Sequence, residues 1–176
     1  REVYDASSGL CGANVSWNLR ADGSLYISGA GPMYNYEYDY EEDYSKYPWE
    51  KMRDSITSVH ITDGVTSIGD GAFWGCQYLS EAVIGDQVTT IGMDAFYFDE
   101  NLRSLTLGES VTVIGVSAFD ECSSLTSVQI PDSVTTVEDY AFDNCAALQE
   151  LKLGKNLKTI GEAAFTGCNG LVKVVF

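Results

Sequence analysis

The side chains able to do chemistry are few, and their spacing already limits what they can do. His60 is the only histidine in the 176 residues. General acid–base work or metal binding needs an imidazole beside a nucleophile, a carboxylate or a second ligand. His60 instead falls at an outward position of the alternating stretch VHI, so it is expected to be a solvated surface side chain. The five cysteines are Cys11, Cys76, Cys122, Cys145 and Cys168, and the last four share one position of a repeating unit. No pair has metal-ligand or redox-motif spacing. The spacing reads as buried free thiols marking the unit, each behaving as a small hydrophobe. Cys11 lies outside the repeat, is expected to be buried, and has no neighbour in sequence to activate it. The acidic run 37–43 carries oxygen ligands of the kind Ca²⁺ takes, but it lacks the DxDxDG spacing and the turn glycine. No Walker or dinucleotide fingerprint is present, so no cofactor is implied.

These residues are positioned by a 23-residue unit whose plainest copy is Leu125–Ala147, LTSVQIPDSVTTVEDYAFDNCAA. Copies begin at Ile56, Leu79, Leu102, Leu125 and Leu148, and a sixth begins at Leu171. A fixed period of this length signals a solenoid. Positions 1, 4 and 6 of the unit are apolar and predict a short strand with its inner face on the core. Positions 10 and 13 are apolar too and predict a second strand across the coil. Position 14 is Gly in four copies and Glu138 in the fourth, and positions 17–18 are Ala-Phe in all five. The Phe rings are expected to stack as a spine inside a short helical turn that closes at the position-21 cysteine. The Thr ladder at position 11 (Thr66, Thr89, Thr112, Thr135) is expected from β-propensity and cross-strand Thr pairing.

The fold class expected is α/β but strand-rich: a solenoid of five full coils plus a partial sixth over 56–176, with an N-terminal β-hairpin cap over 1–55. Within the cap, ANVSWNL and SLYIS flank Asp22–Gly23, a strong hairpin signal over 13–28. A Tyr-rich acidic loop follows over 33–47, and PWEKMRD predicts a short helix over 48–54 with Trp49 and Met52 on one face. A solenoid needs its exposed end covered, and the hairpin with Trp49 is the expected cover.

The leading Leu with its strand, then V-T-x-I-G, then A-F-x-x-C and the next Leu closely resemble the BspA-like, or treponemal-type, leucine-rich repeat. CGANVSWNLRADGSLYISGAGPM looks like the segment that precedes such repeats in surface proteins of gut bacteria. The resemblance implies a leucine-rich-repeat solenoid that is secreted or on a bacterial cell surface, acting as an adhesin or host-interaction module. It carries over no catalytic residue. The second copy departs from it, with Asp99 in place of Cys and Tyr97–Phe98 before it.

Composition narrows the partners. A net charge of −16 repels phosphate, so nucleic acid is not an expected partner. No apolar run approaches the ~20 residues of a membrane span, so no membrane insertion is expected in this segment. The leading expectation is a non-enzymatic protein-binding module whose partner is a host extracellular-matrix or plasma protein. Its candidate contacts are the outward strand positions His60, Val83, Thr106, Gln129 and Lys152, together with Trp74, Tyr97 and Phe98 on neighbouring coils. The alternatives are a structural spacer or fragment of a larger surface protein, and a carbohydrate-binding module. Self-association is a further expectation, because LVKVVF at 171–176 leaves a strand edge.

Overall fold

The computed structural model describes residues 7–36 and 47–176. The Tyr-rich acidic run and its carboxylates at 37–43 fall outside them.

Fifteen strands follow in chain order. The first four are β1 (Ser8–Leu10), β2 (Val15–Leu19), β3 (Ser24–Gly29) and β4 (Gly31–Pro32). From Ser58 onward each coil gives a first strand: β5 (Ser58–Ile61), β7 (Glu81–Ile84), β9 (Ser104–Thr106), β11 (Ser127–Gln129), β13 (Glu150–Lys152) and β15 (Lys173–Val175). It then gives a second: β6 (Val65–Ile68), β8 (Thr90–Ile91), β10 (Val113–Ile114), β12 (Thr136–Val137) and β14 (Thr159–Ile160). The first strands form one sheet ordered β1-β2-β3-β5-β7-β9 and another ordered β11-β13-β15. The second strands form a sheet ordered β4-β6-β8-β10-β12-β14. Within each sheet coil pairs with coil in parallel at a constant offset of one repeat, as in Ser58↔Glu81 and Glu150↔Lys173.

The core sits between the two strand layers. Leu125, Val128, Ile130, Val134, Val137, Ala141, Phe142 and Cys145 are all buried, as the period requires. The Phe spine is continuous: Phe73, Phe96, Phe119, Phe142 and Phe165 stack at centroid spacings of 5.0, 5.1, 5.1 and 5.3 Å. That spacing follows the inter-strand distance of about 4.8 Å that parallel pairing imposes.

The turn carrying the spine is not the short helix expected from Ala-Phe-x-x-Cys. Its backbone is left-handed at position 16 (Asp94, Ser117, Tyr140, Ala163) and again at position 20 (Phe98, Glu121, Asn144). Helical N–H groups would bond within the turn. Here the N–H groups of Gly71, Phe73 and Gly75 donate instead to the next coil's Met93, Ala95 and Tyr97 carbonyls, at 2.7, 2.7 and 2.8 Å. The same triplet repeats from Asp94, from Ser117 and from Tyr140. Inter-coil bonding therefore wins over helix propensity, and the only helical element among the described residues is a 3-10 segment at Glu50–Ser55. The Thr ladder also differs in detail. From Thr89 on, each Thr hydroxyl donates to the preceding Thr carbonyl, Thr89 to Thr66 at 3.1 Å, Thr112 to Thr89 at 3.0 Å and Thr135 to Thr112 at 3.3 Å, so side chain pairs with backbone.

The N-terminal segment joins this stack in register. β2 and β3 form the hairpin, with Trp17 opposite Ile27. β3 then pairs in parallel with β5, Ser24↔Ser58 through Ile27↔Ile61, and β4 pairs with β6. The Asp70 N–H donates to Asn35 Oδ1 at 3.1 Å, just as the Met93 N–H donates to Asp70 Oδ1 at 2.8 Å one coil later. Trp49 is fully buried and lies flat on Phe73 at 5.3 Å, extending the spine by one ring. The segment around β3 and Asn35 thus faces its counterparts across more than a full repeat, Tyr26 opposite His60, whereas Trp49 faces Phe73 across little more than one. The sequence between Asn35 and Trp49 is therefore about half a repeat longer than the period requires.

Inner positions of the last coils are more exposed than their counterparts in the first. Val174 is 41% exposed where Val59 is fully buried, and Ile160 is 49% exposed where Ile68 is 2%.

Candidate functional site

The outward candidates gather into two separate surfaces. On the first-strand layer, parallel register aligns one straight row: Tyr26↔His60, His60↔Val83 and Val83↔Thr106. Gln129↔Lys152↔Val175 continues it on the β11-β13-β15 sheet. No ladder pairing joins β9 to β11, so the row crosses a seam between Thr106 and Gln129.

The structure changes the reading of His60. Its ring stacks on Tyr26 at 4.7 Å and 14°, and the Arg20 guanidinium covers Tyr26 at 3.9 Å from the ring centroid. His60 is therefore half-buried within the column Arg20–Tyr26–His60 and is not a freely solvated side chain. Arg20 and Tyr26 escape a reading of the sequence, because a hairpin reading stops at the β2–β3 pairing and does not foresee β3 beside β5. The alternation of SLYIS is the available signal, since it turns Tyr26 outward like His60.

His60 Nε2 also lies 3.1 Å from Ser58 Oγ. This contact sets a hydroxyl beside the imidazole on the outward face. The residues in register on β7 are Val83 opposite His60 and Glu81 opposite Ser58, so Glu81 shares the outward face with both. The backbone of β5 is paired on both sides, to β3 and to β7, which holds these side chains at fixed positions.

The second surface is the turn ridge. Position 19 reads Trp74, Tyr97, Asp120, Asp143 and Thr166 along successive coils, so an aromatic end passes into an acidic middle. Trp74 is half-buried with the Arg53 guanidinium 5.5 Å from its ring. Tyr97 meets Phe98 edge-on at 4.7 Å, and Phe98 is 40% exposed. The Gly75 N–H donates to the Tyr97 carbonyl at 2.8 Å, so Trp74 and Tyr97 sit on adjoining turns as expected. Asp120 is pushed up to about 6, chiefly by burial, then by the neighbouring Asp143 and Glu121 carboxylates. Among the described residues no three His, Cys, Asp or Glu side chains gather closely enough to hold a metal ion.

Beneath this ridge runs the cysteine column. All five cysteines are free, and all but the half-buried Cys168 are buried. Burial pushes the Cys11 thiol up to about 12. The Cys122, Cys145 and Cys168 thiols each donate to the carbonyl of the preceding coil's Phe, at 3.3 Å in all three cases. Asp99 occupies the same column, fully buried, and the turn around it keeps its shape.

Two parallel strand layers, a ring spine and a side-chain column advancing once per repeat define a leucine-rich-repeat solenoid. The chain belongs to the BspA type leucine rich repeat region family, whose model matches residues 46–172 in six copies. That match begins upstream of Ile56, in the stretch that sets Trp49 on the spine. The fold is shared with solved bacterial leucine-rich-repeat proteins. The Treponema pallidum leucine rich repeat protein is 23% identical, with a TM-score of 0.71 over 90% of this chain and 78% of its own. A protein from Bacteroides ovatus is 24% identical, with a TM-score of 0.59 over 93% of this chain and 52% of its own. A leucine rich cell surface protein from Faecalibacterium prausnitzii is 24% identical, with a TM-score of 0.54 over 92% and 52%. The chain thus spans about half the length of the last two. No curated protein matches it in sequence. No helix among the described residues is long and apolar enough to cross a membrane.

Proposed function

We propose that this chain is a non-enzymatic binding module of a secreted or cell-surface bacterial protein, and that it docks a protein partner on the outward face of its first-strand sheet. The row Tyr26–His60–Val83–Thr106 carries this reading. It offers an aromatic column backed by Arg20, then an aliphatic and a hydroxyl side chain, all fixed by backbone pairing. Tyr and Arg are the residue types that anchor protein interfaces, and rigid placement lowers the entropy lost on docking. The description of the Faecalibacterium prausnitzii relative as a cell surface protein supports the location. The half-exposed ridge of Trp74, Tyr97 and Phe98 supplies a second set of anchors on the turn side.

The test is surface plasmon resonance against a panel of host extracellular-matrix and plasma proteins. Alanine at Tyr26 and His60 together is expected to weaken binding at least tenfold, with the circular dichroism spectrum unchanged. Alanine at Trp74 and Tyr97 reports on the ridge separately. Unchanged affinity in the Tyr26/His60 variant removes the sheet face from the reading, and no binding to any protein leaves the chain as a spacer.

A further inference from the structure

Asp99 is the one fully buried charged-type side chain among the described residues, and it stands where four other coils place a cysteine. At that position the thiols of Cys122, Cys145 and Cys168 act as donors to a Phe carbonyl. A carboxylate has no proton to donate, whereas a neutral carboxylic acid has one. The contacts of Asp99 are one-sided. Its Oδ1 accepts the Cys76 N–H at 2.7 Å, and its buried Oδ2 has no hydrogen-bond partner among the described residues. A lone anion oxygen in such a place is costly, and the cost is removed by taking up a proton.

The groups around it do not supply a compensating charge in contact. Below it lies Cys76, whose thiol burial holds neutral and whose own surroundings include Glu50 and Asp54. Above it lies Cys122, likewise held neutral by burial, with Asp120 and Glu121 beyond. Among the described residues Arg53 is the cation whose field reaches Asp99, and it is ion-paired with Glu50. Burial outweighs both the Cys76 hydrogen bond and Arg53, and drives the Asp99 carboxyl well above the ordinary carboxylate range.

We propose that Asp99 is carried as the neutral acid in the folded protein, and that its deprotonation loosens the coil-two turn bearing Tyr97 and Phe98. The proton passes to solvent, and the anion left behind has no second donor to hold it. The module then contains a proton-operated element directly beneath the aromatic ridge. Because the proton is bound more tightly in the folded state, stability is fully present below the unfolded-state value of about 4 and falls as pH rises through the folded-state value.

Thermal unfolding of the wild type, Asp99→Asn and Asp99→Cys from pH 4 to 8.5 tests this. Asn keeps the shape without the titration, and Cys restores the column. The expected result is that both variants gain on the wild type as pH rises, by several degrees in Tm at pH 8.5, with the gap closing toward pH 4. Native-state hydrogen exchange should show the Cys76 and Phe98 amides losing protection at high pH in the wild type only. A wild-type-to-Asn gap that is constant across pH overturns the proposal, as does equal protection of these amides in both proteins.

Discussion

The second coil, 79–101, and the fourth, 125–147, share a backbone and differ in what the turn carries. Both stack a buried Phe into the spine, Phe96 and Phe142, at nearly the same ring spacing. Both hold a left-handed residue at positions 16 and 20, Asp94 and Phe98 in one and Tyr140 and Asn144 in the other. The last residues of the turn diverge: Tyr97-Phe98-Asp99 against Asp143-Asn144-Cys145. The scaffold is therefore written in backbone pairing and ring stacking, which tolerate almost any outward side chain. The second coil's departures collect in its turn, where an aromatic surface lies above a buried acid, while the fourth coil departs at Glu138. A repeat whose coils contact only their neighbours can concentrate change in this way without losing the rest.

The largest effect expected is also the one that the two coils should share. Phe96→Ala and Phe142→Ala each empty a sealed site in the spine and should each cost about 3–5 kcal/mol in urea unfolding. Costs differing more than twofold would break the claim that the scaffold is common to both. Position 14 gives a smaller and unequal effect. A Cβ on Gly92 would sit 2.6 Å from the Asp70 backbone nitrogen, so Gly92→Ala should cost about 1–3 kcal/mol by overpacking. In the fourth coil Glu138 already occupies this place and its carboxylate accepts the Val116 N–H at 3.1 Å. Glu138→Ala gives up only that half-buried bond, about 1 kcal/mol. Equal costs at the two positions would show that the coils approach each other identically there.

Much of the scaffold was legible because the period is strict. Leu125, Val128, Ile130, Val134 and Val137 recur at fixed intervals, and burial follows directly from alternation. Ala141–Phe142 announced the spine for the same reason. The turn backbone was not legible, since Ala-Phe-x-x-Cys reads locally as helix and only the neighbouring coil supplies the carbonyls that pull its N–H groups outward. The N-terminal register was hidden by the extra stretch between Asn35 and Trp49, which breaks the period without breaking the stack. The candidate row was half legible. Alternation gave His60, Val83 and Thr106, but their column with Tyr26 and Arg20 depends on a parallel pairing between segments further apart than one repeat. Asp99 was visible as a departure from the repeat, and its burial with an unpaired oxygen is a property of the column around it.

The difference between the two turns rests on the state of one carboxyl, and NMR reads that state directly. The ¹³C carboxyl resonance of Asp99, followed from pH 3 to pH 8, should stay at the protonated position through the range near pH ~4 where an ordinary aspartate titrates. It should move, if at all, only toward the alkaline end of the range, together with loss of protection at the Cys76 amide. A resonance that titrates near pH ~4 like an ordinary aspartate would contradict the account and return Asp99 to a buried anion held by the Cys76 N–H and Arg53.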